Sequence, residues 1–213
     1  HLGDIDWKNF SISDLFSGLT FYGGLICGGA TVYIISSRKG IHWKHISDVA
    51  APAMMLAYGI GRLGCHFSGD GDWGIANLSG TPAALSFLPD WFFAYNYPNN
   101  VANMGELIPG CTGPYCMQLV PPVYPTPLYE ALVCISLFFV LWGLRKKIKT
   151  PGILFAIYLI FNGLERFFVE KIRHNPELAI GFTQAEMISF TLILLGFFGL
   201  YYFNKTKSIP QKV

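Results

Sequence analysis

The sequence predicts an all-α fold: a polytopic integral membrane helix bundle with about five transmembrane helices and one irregular outer loop subdomain. Three observations carry this. The chain is 52% hydrophobic, has a mean hydropathy of +0.41 and is only 13% charged, about half the charged share of an ordinary soluble domain. Its apolar residues fall into five stretches, each close to the roughly 20 residues a helix needs to cross a hydrocarbon core of about 30 Å. Its basic residues cluster in alternate connections between those stretches. The net charge of +2 is too small to indicate a nucleic-acid partner.

Residues 1–14 are polar and mixed, do not read as a signal peptide, and form an outer N-terminal segment. The spans are expected near 15–36, 47–67, 126–145, 152–172 and 184–204, with a tail at 205–213. Span one carries Tyr22-Gly23-Gly24-Leu25-Ile26-Cys27-Gly28-Gly29; in a membrane such small residues let helices pack closely. Arg38, Lys39 and Lys44 follow span one, Arg145, Lys146, Lys147 and Lys149 follow span three, and Lys205, Lys207 and Lys212 follow span five. All fall on one side, which the positive-inside rule makes cytoplasmic. The N-terminus, loop 68–125 and the short loop 173–183 then face outward.

Loop 68–125 is far longer than a usual connection. It is rich in proline, asparagine, glycine and aromatics, including Trp91, Phe92, Phe93, Tyr95 and Tyr97. Such residues suit the headgroup region, where an aromatic ring with a polar edge is stable. The loop is expected to form a small subdomain on the membrane surface. Cys27, Cys65 and Cys134 lie in spans and read as small apolar residues. Cys111 and Cys116 flank a tight turn in the outward loop, where an oxidising compartment favours a disulfide. Two thiols or a metal site stay open, although no neighbouring histidine supports a metal.

Charged residues within spans are costly and mark function. At about 1.5 Å per helical residue, Arg62, Arg166, Glu130 and Tyr22 all lie ~21–22 Å from the cytoplasmic ends of their spans. Four elements thus place a polar residue at one level in the outer leaflet half. On span four, Asn162, Arg166, Glu170 and Arg173 share a helix face, with Glu165 beside them. A structural Arg166–Glu170 pair would explain that helix alone. The matching depth of Arg62 favours a cationic pocket, and arginine's planar fork suits a phosphate such as that of a lipid headgroup. His66 reads either as a general base or as a packing residue. Asp70-Gly71-Asp72 lacks the spacing of a calcium-binding EF-hand loop.

These residues carry a family resemblance. Gly61-Arg62-Leu63-Gly64 through Ser68-Gly69-Asp70 resembles the signature of the prolipoprotein diacylglyceryl transferases, Gly-Arg-x-Gly-Asn-Phe-x-Asn-x-Glu-x-x-Gly. Tyr124-Pro125-Thr126-Pro127-Leu128-Tyr129-Glu130 resembles that family's His-Pro-x-Gln-Leu-Tyr-Glu. Asn162-Gly163-Leu164-Glu165-Arg166 through Glu170 and Arg173 resembles its Tyr-Gly-x-x-Arg element. Leu19-Thr20-Phe21-Tyr22-Gly23-Gly24 resembles its Ser-Phe-His-Gly-Gly element. The family has seven transmembrane helices, so the resemblance implies two further helices ahead of His1.

The resemblance implies transfer of a diacylglyceryl group from phosphatidylglycerol to the lipobox cysteine of prolipoprotein signal peptides, releasing glycerol phosphate. The setting would be the bilayer of the bacterial inner membrane, with the active site toward the outer leaflet and neither cofactor nor metal needed. Arg62 and Arg166 match the two essential family arginines; Tyr22 and Asp70 complete the expected catalytic set. Asn162, Glu130, Glu170, Arg173 and His66 join the arginines as expected substrate-binding residues. Tyr22 stands where the family has histidine, Cys65 where it has asparagine, Asp70 where it has glutamate and Asn162 where it has tyrosine. The proton acceptor for the attacking thiol stays open among Tyr22, Asp70 and His66. A non-catalytic phospholipid-binding paralogue is the alternative reading.

Overall fold

The computed structural model describes residue 24 and residues 27–173 and 183–207. Tyr22 and half of the first expected span lie outside them. The described part is predominantly helical and divides into two units, one ending at Ile46 and the other running from Ser47.

In the first unit, α1 is helical over 27–38. It ends because Gly40 takes a left-handed conformation, with φ +71°. The Gly40 amide then donates to the Ser37 carbonyl, and the Ile41 amide to that of Ser36, at 3.1 and 2.9 Å. This is a Schellman cap, which satisfies carbonyls the helix would leave unpaired.

Helix α2 spans Trp43–Ser68. The second unit adds α3 (Thr126–Leu144), α4 (Ile153–Glu170) and α5 (Gln184–Lys207). The last four expected spans therefore correspond to α2–α5 within a few residues at each end. Among the described residues, two helices are long and apolar enough to cross a membrane: Thr126–Leu144 with mean hydropathy 1.8 and Ala185–Lys205 with 1.6. Helix α4 is comparably apolar until its last two turns, where Glu165, Arg166 and Glu170 interrupt it.

Ala51 and Met55 of α2, Cys134 and Leu141 of α3, and Leu154 and Tyr158 of α4 form one buried cluster. Gly59 lets α2 approach α3, since a Cβ there would lie 3.1 Å from that of Cys134. Helices α4 and α5 meet still more closely. A Cβ on Gly163 would lie 2.7 Å from the Ser189 carbonyl, and one on Gly196 2.8 Å from the Ala156 carbonyl. Such backbone contact is how helices associate in lipid, where apolar burial between helices brings little. The outer faces of α3 and α5 stay apolar, with Phe139, Phe190, Leu194, Phe197 and Phe198 exposed, as a lipid-facing surface requires.

Helix α4 receives its N-terminal cap from α2. Asp48 accepts hydrogen bonds from the Gly152 and Phe155 amides at 2.7 and 2.8 Å. Asp48→Ala is expected to cost about 1–2 kcal/mol, read as a lower Tm in detergent, with Asp48→Asn, which keeps one of the two acceptor oxygens, recovering part of the loss.

The long connection 69–125 is ordered by its own contacts. It contains two single-turn 3-10 helices, Ala83–Leu85 and Asp90–Phe92. It also holds an antiparallel hairpin, β1 (Glu106–Leu107) and β2 (Met117–Gln118), in which Glu106 faces Gln118. Cys111 and Cys116 form a disulfide across the hairpin's end. Gly105, at φ +104°, turns into the hairpin where any Cβ would strike the Gln118 carbonyl. Tyr97, Leu119 and Val123 make a small core with Trp73 and Tyr95 beside it. Asn100 is 1% exposed and ties the loop together. Its amide donates to the carbonyls of Tyr97, Met104 and Met117 at 3.0–3.1 Å and its oxygen accepts from the Met104 amide at 2.9 Å.

Candidate functional site

Three helices bring charge to one place: the C-terminal half of α2, the first turns of α3 and the last turns of α4. Pro125 and Pro127 flank the start of α3 and suit a first turn, where amide hydrogens have no intrahelical partner. Glu130 follows one turn on, and its side chain is 0% exposed. It is the centre of the site. Arg62 Nε lies 2.8 Å from Glu130 Oε2, Arg166 Nη1 3.6 Å from the same oxygen, and Arg173 Nη1 3.8 Å from Oε1. The Tyr58 hydroxyl donates to Oε2 at 2.9 Å. It also accepts from Arg62 Nε at 3.3 Å.

A second carboxylate closes the site from the loop side. Asp72 pairs with Arg62 through one oxygen and with Arg173 through the other. Burial alone would raise the Asp72 carboxyl, but Arg173 and Arg62 outweigh it and hold it below the usual carboxylate range. The loop is pinned there. Thr126 Oγ1 donates to the Asp72 carbonyl at 2.8 Å, and the Gly74 amide donates to the Tyr124 carbonyl at 2.9 Å. Gly74 also bridges Arg173 in antiparallel fashion. A Cβ on Gly74 would sit 2.8 Å from Thr126 Cγ2 and 3.0 Å from the Ile172 carbonyl, so glycine is what lets the loop close on α3 and α4.

Arg166 is held most loosely of the three arginines. Besides Glu130, it reaches only 3.9 Å to Glu170 Oε2, and its buried Nη1 makes no hydrogen bond among the described residues. Glu165 is buried, and neither of its carboxylate oxygens accepts a hydrogen bond among the described residues. Among the described residues, three guanidinium groups therefore pair with three carboxylates: Asp72, Glu130 and Glu170. This corrects the expectation of a cationic pocket, because two carboxylates outside α4 converge on the same arginines.

The placement of the remaining expected residues varies. Asn162 is half-buried one turn before Arg166 on α4. His66, one turn beyond Arg62, is buried in the loop subdomain instead of joining the arginines. Its Nδ1 lies 3.0 Å from the Tyr97 hydroxyl, and its ring meets those of Phe67, Tyr95 and Tyr97. The packing reading of His66 is the one this geometry fits. Asp70 is exposed and accepts a 3.4 Å hydrogen bond from the Asp72 amide. Asp72, and not the expected Asp70, makes the ion pairs. Cys65, Asp70 and Asp72 offer atoms within 4.8 Å of one another. However, Arg62 Nη1 lies 3.8 Å from Cys65 Sγ and pairs with Asp72, so a metal cation there would meet a guanidinium. Sequence reasoning missed the roles of Tyr58 and Asp72. Tyr58 precedes Arg62 by one turn, the spacing that could have found it.

Apolar helices around a buried arginine–carboxylate cluster define a helical membrane protein with a polar site built from three helices. A family model described as prolipoprotein diacylglyceryl transferase matches residues 6–202. Relatives named phosphatidylglycerol–prolipoprotein diacylglyceryl transferase match as well, among them three bacterial proteins. That of Streptococcus pneumoniae serotype 4 is 29% identical over 209 residues, covering 95% of this chain and 70% of the relative. Those of Clostridium novyi and Paraburkholderia xenovorans are each 29% identical, over 179 and 190 residues, covering 84% of this chain and 60% of the relative. The chain belongs to the prolipoprotein diacylglyceryl transferase family, a family of membrane transferases in lipoprotein biosynthesis. It spans 60–70% of the length of these relatives.

Proposed function

We propose that the protein transfers the diacylglyceryl group of phosphatidylglycerol to the lipobox cysteine thiol of prolipoproteins, releasing glycerol phosphate. The observation that carries this reading is the pairing of Arg62 with the loosely held Arg166 around buried Glu130. Both arginines match family positions. A phosphodiester seated on them would have its charge stabilised as the glyceryl C–O bond breaks and a second negative charge develops on the leaving phosphate. Donors fixed in a water-poor site stabilise such charge without reorganising. The cysteine sulfur forms the new bond to the glyceryl carbon, and the thiol proton passes to an acceptor, since the thiolate is the nucleophile. Tyr22 and exposed Asp70 are the acceptors this reading retains.

Five transmembrane helices, an inner-membrane location and a site open to the outer leaflet belong to the same proposal. Arg145, Lys146, Lys147 and Lys149 follow α3 at the end away from Glu130, which the positive-inside rule assigns to the cytoplasm. Segments 1–14 and 68–125 would then lie outside and 205–213 inside, joined by spans within 15–67 and 126–204.

Tyr22, Cys65 and Asn162, where the family has histidine, asparagine and tyrosine, favour a second reading as a phospholipid-binding paralogue without turnover. Purified protein, phosphatidylglycerol and a lipobox peptide decide between them. The transferase reading expects a thioether-linked diacylglyceryl peptide, detected by mass spectrometry. Lipid binding without product, where a verified relative gives product, would support the paralogue.

A further inference from the structure

The Asp72 carboxylate bridges two of the site's three arginines. Its two carboxylate oxygens are divided between arginines of different segments, Arg62 of α2 and Arg173 beyond α4. A phosphodiester presents two unesterified oxygens in a similar fork, the geometry that guanidinium groups recognise. The cluster also leaves no net positive charge for an added anion, because among the described residues its three arginines already pair with three carboxylates, Asp72, Glu130 and Glu170. A phosphate added to that set would bring like charges together in a buried site, so a carboxylate has to leave.

Asp72 is the carboxylate able to do so. Its side chain is 33% exposed, against 0% for Glu130 and 1% for Glu170, and Glu165 is 5% exposed as a residue. The backbone around Asp72 need not move. Its carbonyl is held by Thr126 and the nearby Gly74 amide by Tyr124, so side-chain rotation alone releases both guanidinium groups.

We propose that Asp72 is a displaceable occupant of an anion seat between Arg62 and Arg173, which an anionic phospholipid headgroup takes by turning Asp72 out to solvent. The proposal rests on the reading that Arg62 and Arg166 hold the lipid phosphate, and it adds Arg173 as a third holder. In the empty protein Asp72 keeps the arginines oriented and neutralised. It also sets a threshold that a neutral headgroup does not cross.

The test is binding without turnover, using the full chain in detergent. Short-chain phosphatidylglycerol and inorganic phosphate are titrated in parallel, with the fluorescence of adjacent Trp73 as readout. Asp72→Asn and Asp72→Ser are expected to bind at least about five-fold tighter than wild type, because the competent state is no longer discounted by the bound carboxylate. Asp90→Asn, in a surface turn of the loop, is expected to leave affinity unchanged. A gain with either probe supports the seat, and the larger gain identifies its occupant. Equal or weaker affinity in both Asp72 variants overturns the proposal, as does failure of both to fold, which would make Asp72 a structural brace. Tighter lipid binding by Asp72→Asn, alongside a wild-type protein that transfers nothing, would keep the seat and contradict the transferase reading.

Discussion

Arg62→Ala is expected to lower transferase turnover by about 10²–10³-fold or more, the loss seen when one fixed donor to a developing oxyanion is removed. Arg62→Lys is expected to be nearly as poor. In the resting protein, one guanidinium reaches Glu130, Asp72 and the Tyr58 hydroxyl together. An ammonium keeps the charge but not the planar fork that meets three partners at fixed angles. The measurement is kcat/KM for a lipobox peptide at saturating phosphatidylglycerol. The Tm of each variant is recorded alongside, so that loss of chemistry is separated from loss of fold. Arg166→Ala is expected to match Arg62→Ala in turnover with a smaller drop in Tm, because among the described residues Arg166 makes only long ion pairs, at 3.6 and 3.9 Å.

The second large effect is expected at Glu130. Removing a partner from a buried ion network strands the opposite charges, at a cost of about 3–5 kcal/mol. Glu130→Ala would leave Arg62, Arg166 and Arg173 without their shared acceptor and the Tyr58 hydroxyl without its own. The variant is expected to lose its cooperative melting transition in detergent and all transferase activity. Glu130→Gln keeps the shape and one acceptor oxygen for Tyr58, so it is expected to fold with a lowered Tm. Its turnover is expected to stay low, since a neutral amide no longer draws three arginines together. Wild-type stability in Glu130→Ala would show that the arginines are held by other contacts.

The parts of this site that sequence reading reached are those governed by regular helices. A rise of 1.5 Å per residue fixes depth, so Arg62, Glu130 and Arg166 could be set at one level before any coordinates. They meet there around a single carboxylate. The i,i+4 relation of Arg166 to Glu170 was legible for the same reason. Asp72 was not, because its reach depends on where an irregular loop is pinned. Thr126 and Tyr124, more than 50 residues later, set that position. Asp70 looked the better candidate by its place in the family signature, yet the turn through Gly71 leaves it exposed and directs Asp72 inward. Tyr58 carries no charge, so nothing in hydropathy separates it from an ordinary aromatic of a membrane helix. His66 illustrates the reverse case. It lies on the same helical stripe as Arg62, but Tyr95 and Tyr97 of the loop subdomain capture it.

The loop subdomain was legible only as irregular and aromatic-rich. Its order comes from Asn100, whose one side chain satisfies the carbonyls of Tyr97, Met104 and Met117, and from a core in which Tyr97 meets Leu119 and Val123 of a distant stretch. Neither follows a period that a pattern could expose. The helix-to-helix contacts at Gly163 and Gly196 were likewise hidden, although the glycines were visible, because the face each meets on the other helix, α5 for Gly163 and α4 for Gly196, is set by tertiary packing.

The most direct test of the account is a structure of the full chain with phosphatidylglycerol bound. The account predicts the lipid phosphate within hydrogen-bond reach, about 2.7–2.9 Å, of Arg62, Arg166 and Arg173, with the Asp72 carboxylate turned out to solvent. A phosphate bound elsewhere, with Asp72 still bridging Arg62 and Arg173, would contradict it.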